Sequence, residues 1–365
     1  TTVAYELRER SQRQRGLNSS DLVYMLMPDR FANGNHTNDN IVGMLEQADN
    51  SNPDGRHGGD IQGIADHISY FRQLGVTGLW ITPLLENNMP KYSYHGYAIT
   101  NFYRTDPRYG TNADYQQLAN LLHHNGLKLT MDMVFNHCGS NNFLATDKPD
   151  STWIHLWPEF TRSNYRGTAV IDPHASQYDR RLMQEGWFDT TMPDLNQSNP
   201  LLLNYLVQCT IWWTELLGLD AIRMDTYPYN NQAAMSEWCR RLHTEYPDLS
   251  LLGECWLNEN PLTFYFVSGV GNTDGFSSGL DHVTDFPLCF ALQKAFNEEE
   301  GWDTGLARIY QSLTSDFLLP APDKNVIFAD NHDLTRIATT LGSDINKMKM
   351  LMTIILTTRG IPVLY

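Results

Sequence analysis

The sequence predicts an α/β fold, a TIM-type (β/α)8 barrel with a small subdomain inserted after the third strand. Three observations predict it. Short, apolar, β-branched runs alternate with helical patterns along the chain. The runs end on carboxylates and imidazoles. One connection is far longer than the others.

Taken in order, the strand candidates begin with Leu22–Met27, which leads into PDRFANG, and Gly78–Thr82, which leads into PLLENN. Leu127–Val134 leads into FNH, Leu219–Met224 into Asp225, and Leu249–Gly253 into ECW. A weaker run spans His282–Phe286. Val326–Phe328 leads into ADNHD, and Pro362–Tyr365 is the last. Between them lie helical patterns. Gln62–Leu74 places Ile64, Ile68, Phe71 and Leu74 near helical spacing, which predicts one helix there. Asn112–Asn125, Leu201–Leu217, Ala233–Tyr246, Leu288–Asn297 and Ile345–Thr358 have the same character. Every strand except the last is followed by a helix, so the closing helix and any further domain are expected beyond Tyr365. Arg8, Arg10, Arg13 and Arg15, interspersed with Glu6 and Glu9, predict a solvated N-terminal helix. Glu298–Glu300 predicts a solvated helix end.

Residues 136–196 connect the third strand to the next helix and are rich in turn formers such as DKPD, RSNYRG and DPHASQYD. A structureless loop of that length is improbable in a compact domain. The expected organisation is therefore a barrel in two parts, 1–135 and 197–365, with a lobe over the C-terminal face between them. That lobe should roof the cleft with aromatics from Trp153, Trp157, Tyr165, Trp187 and Phe188. More than half of these rings should serve its own small core, with Trp187 and Phe188 nearest the cleft.

Composition narrows the partners. Forty-two Asp and Glu oppose 26 Lys and Arg, a net charge of −16, which argues against nucleic acid or an anionic membrane. The five cysteines are odd in number and lack a CxxC pair, so no disulfide framework or zinc site is read. The apolar stretch Leu201–Leu219 contains Asn204, Gln208 and Glu215, which suits a buried helix better than a membrane span. No signal peptide precedes Thr1, leaving a cytoplasmic or an already processed chain.

Chemistry concentrates at the strand ends, where a barrel of this type places its active site. The third strand supplies Asp132, Asn136 and His137, the fourth Arg223 and Asp225, the fifth Glu254, and the seventh Asp330, His332 and Asp333. So many buried charges are costly unless pairing or function demands them. Hydrolysis of a glycosidic bond uses such a set, one carboxylate as nucleophile and one carboxylic acid as proton donor. Asp225 lies two residues from Arg223 on one strand face, which keeps it ionised. Glu254 must stay protonated, in a less polar setting to which Trp256 contributes. Asp333 would stabilise the transition state, with His332 and His137 on sugar hydroxyls.

The motifs DMVFNH (Asp132–His137), AIRMD (Ala221–Asp225), GECW (Gly253–Trp256) and FADNHD (Phe328–Asp333) resemble the four sequence blocks of the α-amylase family, glycoside hydrolase family 13. YHGYAITNFYRTDPRYGT (Tyr94–Thr111) resembles the family's second-loop motif. The resemblance implies Asp225 as nucleophile, Glu254 as general acid/base and Asp333 as transition-state stabiliser. It implies His95, Tyr97, His137, Arg223 and His332 as substrate contacts, the tyrosine by ring stacking.

MPDLN (Met192–Asn196) resembles a fifth block. It begins as in the cyclomaltodextrinase, neopullulanase and maltogenic amylase group but carries Asp194 where that group has Lys. PDRFANGNHTNDN (Pro28–Asn40) and HGGDIQGI (His57–Ile64) resemble that group more closely. TYPY (Thr226–Tyr229) replaces the Lys-His found in the family's calcium-dependent amylases, which puts their usual calcium site in doubt. The resemblance instead implies a structural calcium held by Asn33, Asn35, Asn38, Asp39, Gly58 and Asp60. An Asn/Gly turn without metal is the alternative reading of the same residues.

The function implied is a retaining α-glucan hydrolase acting on α-1,4 bonds of cyclodextrins, maltodextrins or pullulan. An isomerase or transglycosylase of the same family shares the chemistry up to the glycosyl-enzyme. A non-catalytic glucan-binding relative would have lost one of the three carboxylates, and all three stand here. The resemblance leaves a homo-oligomer open.

Overall fold

The computed structural model describes residues 9–365. Eight parallel strands form one sheet, in the order β8-β7-β6-β5-β2-β1-β10-β9. They are β1 (Val23–Leu26), β2 (Gly78–Ile81), β5 (Lys128–Met133), β6 (Ala221–Met224), β7 (Ser250–Gly253), β8 (His282–Val283), β9 (Val326–Ile327) and β10 (Ile361–Leu364). A parallel bridge between Thr284 and Val326 joins the two outer strands and rounds the sheet into a barrel. β3 (Leu85–Glu86) and β4 (Asn101–Thr105) form a separate antiparallel hairpin. Every residue of β2, β5, β6 and β7 is buried, as expected of strands covered on both faces.

Helices surround the barrel. The first pattern is split: α1 (Ile61–Asp66) and α2 (Ile68–Leu74) meet at His67, so the single helix expected over Gln62–Leu74 is corrected to two. His67 Nδ1 lies 2.7 Å from the Gly63 carbonyl and stands as the cap between the two helices. A side chain bonded to the backbone in this way competes with helix continuation. α3 (Asn112–His124) begins on a capping box between Thr111 and Asp114. α4 (Gln177–Glu185) belongs to the inserted segment. α5 (Pro200–Leu217) and α6 (Gln232–Glu245) are capped by Asn199 and Asn231. α7 (Asn260–Phe264), α8 (Phe286–Ala295), α9 (Ala307–Thr314) and α10 (Ile345–Thr357) follow, and single helical turns occur at Pro28–Phe31, Phe143–Thr146 and Ile337–Thr340. No described helix is long and apolar enough to cross a membrane.

The expected N-terminal helix is also corrected. Arg10, Arg13 and Arg15 lie in non-helical chain, whereas Glu6 and Arg8 fall outside the described residues. The arginines are used as tethers: Arg10 pairs with Glu245 at 2.8 Å and Arg15 with Asp220 at 3.1 Å. Ion pairs to separate barrel elements hold this segment without internal backbone bonds. All five cysteines are buried and free.

The inserted segment leaves and re-enters the barrel side by side. Leu195 N donates to the Asn136 carbonyl (2.8 Å) and Cys138 N to that of Pro193 (3.2 Å), around an antiparallel bridge of His137 with Asp194. Cys138, Leu144, Trp153, Ile154, Ala169, Val170, Met183 and Leu195 are among its buried apolar residues. Asp194 is fully buried, and its Oδ2 lies 2.6 Å from His155 Nδ1. Burial pushes the Asp194 carboxyl up to about 7 against the pull of that histidine.

Candidate active site

Strand register positions the acidic centre. Asp132 pairs with Arg223 across β5 and β6, and Met224 with Gly253 across β6 and β7. Asp225 and Glu254 are each the next residue, so they end adjacent strands at the same level. Asp225 N donates to the Met133 carbonyl and Glu254 N to that of Met224, which continues the ladder through both residues.

Arg223 is fully buried and ties these groups together. Its Nη1 donates to Asp132 Oδ1 at 2.8 Å and to Asp225 Oδ1 at 2.6 Å. Its Nη2 lies 2.5 Å from Glu254 Oε1, a charge contact without the alignment of a hydrogen bond. The guanidinium also stands 5.4 Å from the Trp80 ring centroid and 5.7 Å from that of Tyr97. Asp132 Oδ2 accepts from Trp80 Nε1 (3.0 Å) and from the Tyr97 hydroxyl (3.1 Å). Burial raises the Asp132 carboxyl to about 6, against the pull of Arg223.

Burial raises Glu254 further, to about 8, and the negative neighbours Asp225 and Asp333 add to the effect against Arg223. Its Oε2 accepts from the backbone N–H of Thr226 at 2.8 Å. Thr226 adopts φ +44°, a left-handed conformation uncommon for a non-glycine residue. Asp333 keeps 40% of its side chain open to the cleft although deeply set among protein atoms. Those surroundings push its carboxyl upward.

The imidazoles are held neutral. Burial lowers His95 and His137 to about 4 and His332 to about 3, the last with help from Arg223. Tyr97 stacks on His332 with centroids 5.2 Å apart, and His137 stacks on Phe188 at 4.7 Å. His137 Nε2 and His332 Nδ1 are buried and find no protein partner. The loop between β3 and β4 carries His95 and Tyr97. It packs tightly because Gly96 has φ +84° and a Cβ there would lie 2.4 Å from the Pro83 carbonyl oxygen.

These groups line one cleft of about 880 Å³, with Asp225, Glu254 and Asp333 among its walls beside His95, Tyr97, His137 and His332. Arg223 is not in the wall; it lies behind the carboxylates. Asp330 also stays outside, where its carboxylate accepts from Ile337 N at 2.8 Å. Phe188 lines the cleft as expected, but Trp187 does not: its Nε1 donates to the His155 carbonyl at 2.8 Å and its ring packs on the core. Tyr165 takes the place expected of Trp187. Among the residues missed by sequence reasoning are Tyr229, Asn258 and Glu259. Tyr229 was visible in TYPY, and its ring lies 5.7 Å from Phe188 and 6.2 Å from Tyr165.

The loop Asn33–Asp39 and the turn Gly58–Asp60 do meet. Asp60 Oδ1 accepts from Gly34 N (3.1 Å) and Gly63 N (2.6 Å), and Oδ2 from Asn35 N (2.8 Å) and Asn38 Nδ2 (3.3 Å). Asn33 Nδ2 donates to Asp39 Oδ1 at 2.7 Å. The Oδ1 atoms of Asn33 and Asn38 are buried and meet no donor. Gly58 has φ +84°, and a Cβ on it would lie 2.7 Å from both Asn33 Nδ2 and Asp39 Oδ1. Orphaned carbonyl oxygens, the Asp39 carboxylate and a cradle kept open by glycine fit the oxygen chemistry of calcium. Asn35 and Asp60 fit least, since Asn35 Oδ1 already accepts from the Thr37 N–H (3.1 Å) and hydroxyl (2.6 Å) and each Asp60 oxygen already accepts two N–H bonds.

Residues 25–365 match the family model of the α-amylase catalytic domain. The chain belongs to the α-amylase family. It thus carries a glycoside hydrolase catalytic domain. It is 27% identical to a maltogenic α-amylase of Bacillus acidopullulyticus over 94% of this chain and 54% of that protein. It is also 27% identical to a cyclomaltodextrinase of Geobacillus thermopakistaniensis, again over 94% and 54%. A crystal structure of an Anoxybacillus α-amylase superposes with a TM-score of 0.80 at 27% identity, covering 95% of this chain and 70% of that one. The chain therefore spans about half the length of these two curated relatives of the α-amylase family.

Proposed function

We propose that this α-amylase-family domain is a retaining hydrolase of α-1,4-glucosidic bonds, acting on cyclodextrins, maltodextrins or pullulan. One observation carries the reading. Asp225 and Glu254 end adjacent strands in register, yet their surroundings separate their roles. Arg223 touches both carboxyls, Asp225 at 2.6 Å and Glu254 at 2.5 Å, yet burial and the negative neighbours Asp225 and Asp333 raise Glu254 to about 8 against that cation. Neighbouring strands are about 4.8 Å apart. That spacing suits direct attack rather than a water between the carboxyls.

In this reading an Asp225 oxygen attacks the anomeric carbon while Glu254 gives its proton to the departing glycosidic oxygen. The C–O bond to the leaving sugar breaks as the ester to Asp225 forms. Glu254, now a carboxylate, takes a proton from water, whose oxygen displaces Asp225 and returns the sugar with its original configuration. Asp333 faces the positive charge that develops on the ring. Neutral His137 and His332 can each donate or accept at a sugar hydroxyl. The relatives named maltogenic amylase and cyclomaltodextrinase support the substrate class. Calcium, when bound, would be held by Asn33, Asn38, Asp39 and the Gly58 turn, and would supply loop stability. Proton NMR during early turnover of cyclodextrin, pullulan and maltodextrin tests the proposal. α-Anomeric product is expected first, and initial β-anomer overturns the mechanism. Glucosyl transfer to maltose without release of free sugar would instead point to an isomerase or transglycosylase.

A further inference from the structure

A second hollow of about 630 Å³ adjoins the catalytic cleft, and Asn258 and Glu259 line both. Its volume is in the range that holds small ligands. Its far side is one face of α8, with Phe290, Gln293 and Lys294, continued by Asn297 just past the helix end. An aromatic series links the two spaces. Trp256, exposed in the wall of the cleft, stacks on Phe286 with centroids 4.8 Å apart and planes 9° apart. Phe286 in turn contacts Phe290 at 5.8 Å.

From this continuity we propose that the hollow is an additional glucan subsite, occupied by sugar units of a linear α-glucan long enough to extend past Asn258 and Glu259. The proposal rests on the α-glucan reading of the cleft. The side chains select a neutral, hydroxyl-rich ligand. Glu259 offers an acceptor, Lys294 a donor, and Asn258 and Asn297 offer both. Among the described residues neither Glu259 nor Lys294 is held in an ion pair with a partner side chain, whereas Glu298 at the edge is paired with Arg308 at 2.9 Å. An anionic ligand would face Glu259 and a cationic one Lys294, while a sugar can bond both. Phe290 supplies an apolar surface for the C–H face of a ring.

The double variant Lys294→Ala/Asn297→Ala alters two exposed side chains, and because Asn297 Nδ2 also donates to the Gln293 carbonyl at 2.8 Å, the melting temperature should fall only slightly. With the full chain, kcat/KM on a trisaccharide should stay as in wild type. On long linear maltodextrin it should fall about tenfold, the weight of two hydrogen bonds to a neutral ligand. Retardation in amylose-containing native gels should weaken in parallel. Equal behaviour of variant and wild type on long glucan, in both assays, overturns the subsite. A wild type that binds amylose through these residues yet hydrolyses no glucan keeps the subsite and removes the hydrolase reading. A wild type that neither cleaves nor binds overturns both.

Discussion

The backbone N–H of Thr226 donates to Glu254 Oε2 at 2.8 Å, so the residue after Asp225 in the chain holds the carboxyl at the end of the next strand. The chain turns at Thr226, whose φ is +44°, directly after this amide. The two carboxyls are thereby fixed to each other by one peptide unit as well as by Arg223.

The first expectation concerns pH. With Glu254 held up to about 8, kcat/KM should fall on the alkaline side with an apparent pKa near that value. That value belongs to the coupled carboxylates rather than to one residue. Stability follows the same shift. A carboxyl raised on folding contributes stability that is full below its unfolded pKa and is lost as pH rises through the folded value. Glu254→Gln removes that ionisation. Its melting temperature relative to wild type should therefore rise between about pH 5 and pH 8. Parallel melting curves across that range would refute the buried, neutral Glu254.

Asp225→Asn should reduce turnover on the order of 10³-fold or more while leaving glucan affinity nearly intact. Calorimetric titration with maltodextrin and a rate assay on the same preparation check it. A variant with substantial wild-type rate would remove Asp225 from the nucleophile role.

Metal removal should act on stability. EDTA is expected to lower the melting temperature more than the initial rate at low temperature, with recovery on adding calcium. Asp39→Ala should abolish the calcium response. An identical melting curve with and without EDTA would leave Asn33–Asp39 as a turn without metal.

Rings of the inserted segment should divide into two classes. Tyr165→Ala, altering an exposed ring of the cleft wall, should raise KM or shift product length at little cost in stability. Trp153→Ala, altering a buried ring, should cost about 3–5 kcal/mol of stability. If Tyr165→Ala changes stability alone, substrate selection is set elsewhere in the cleft.

The barrel strands were legible because nearly all are apolar runs ending abruptly on a polar residue, and the structure places seven within the expected stretches and begins the eighth one residue early, at Ile361. Leu85–Glu86 was not legible as a strand. Two residues carry no periodicity, and their pairing with Asn101–Thr105 is fixed by distant contacts, such as Arg108 Nη2 donating to the Asn87 carbonyl at 2.7 Å. The break at His67 depends on a side chain bonding the preceding turn, which apolar spacing does not register. Arg223 was found by its place two residues from Asp225. Its complete burial behind the carboxylates required the sheet around it. Asn258 and Glu259 enter the cleft from a loop whose path no local pattern specifies.

The paired ends of the inserted segment have a consequence for how the chain could be rebuilt. Asn136 and Leu195 are bonded neighbours, so everything between them meets the barrel as a hairpin tip would. A hairpin needs only a few residues to close. The segment is therefore exchangeable cargo on a fixed two-strand port: its length and content can vary without moving β5 or α5. It must still deliver His137 and Asp194 in antiparallel register and meet the loop before β4, where Gly139 N donates to the Ile99 carbonyl at 2.8 Å.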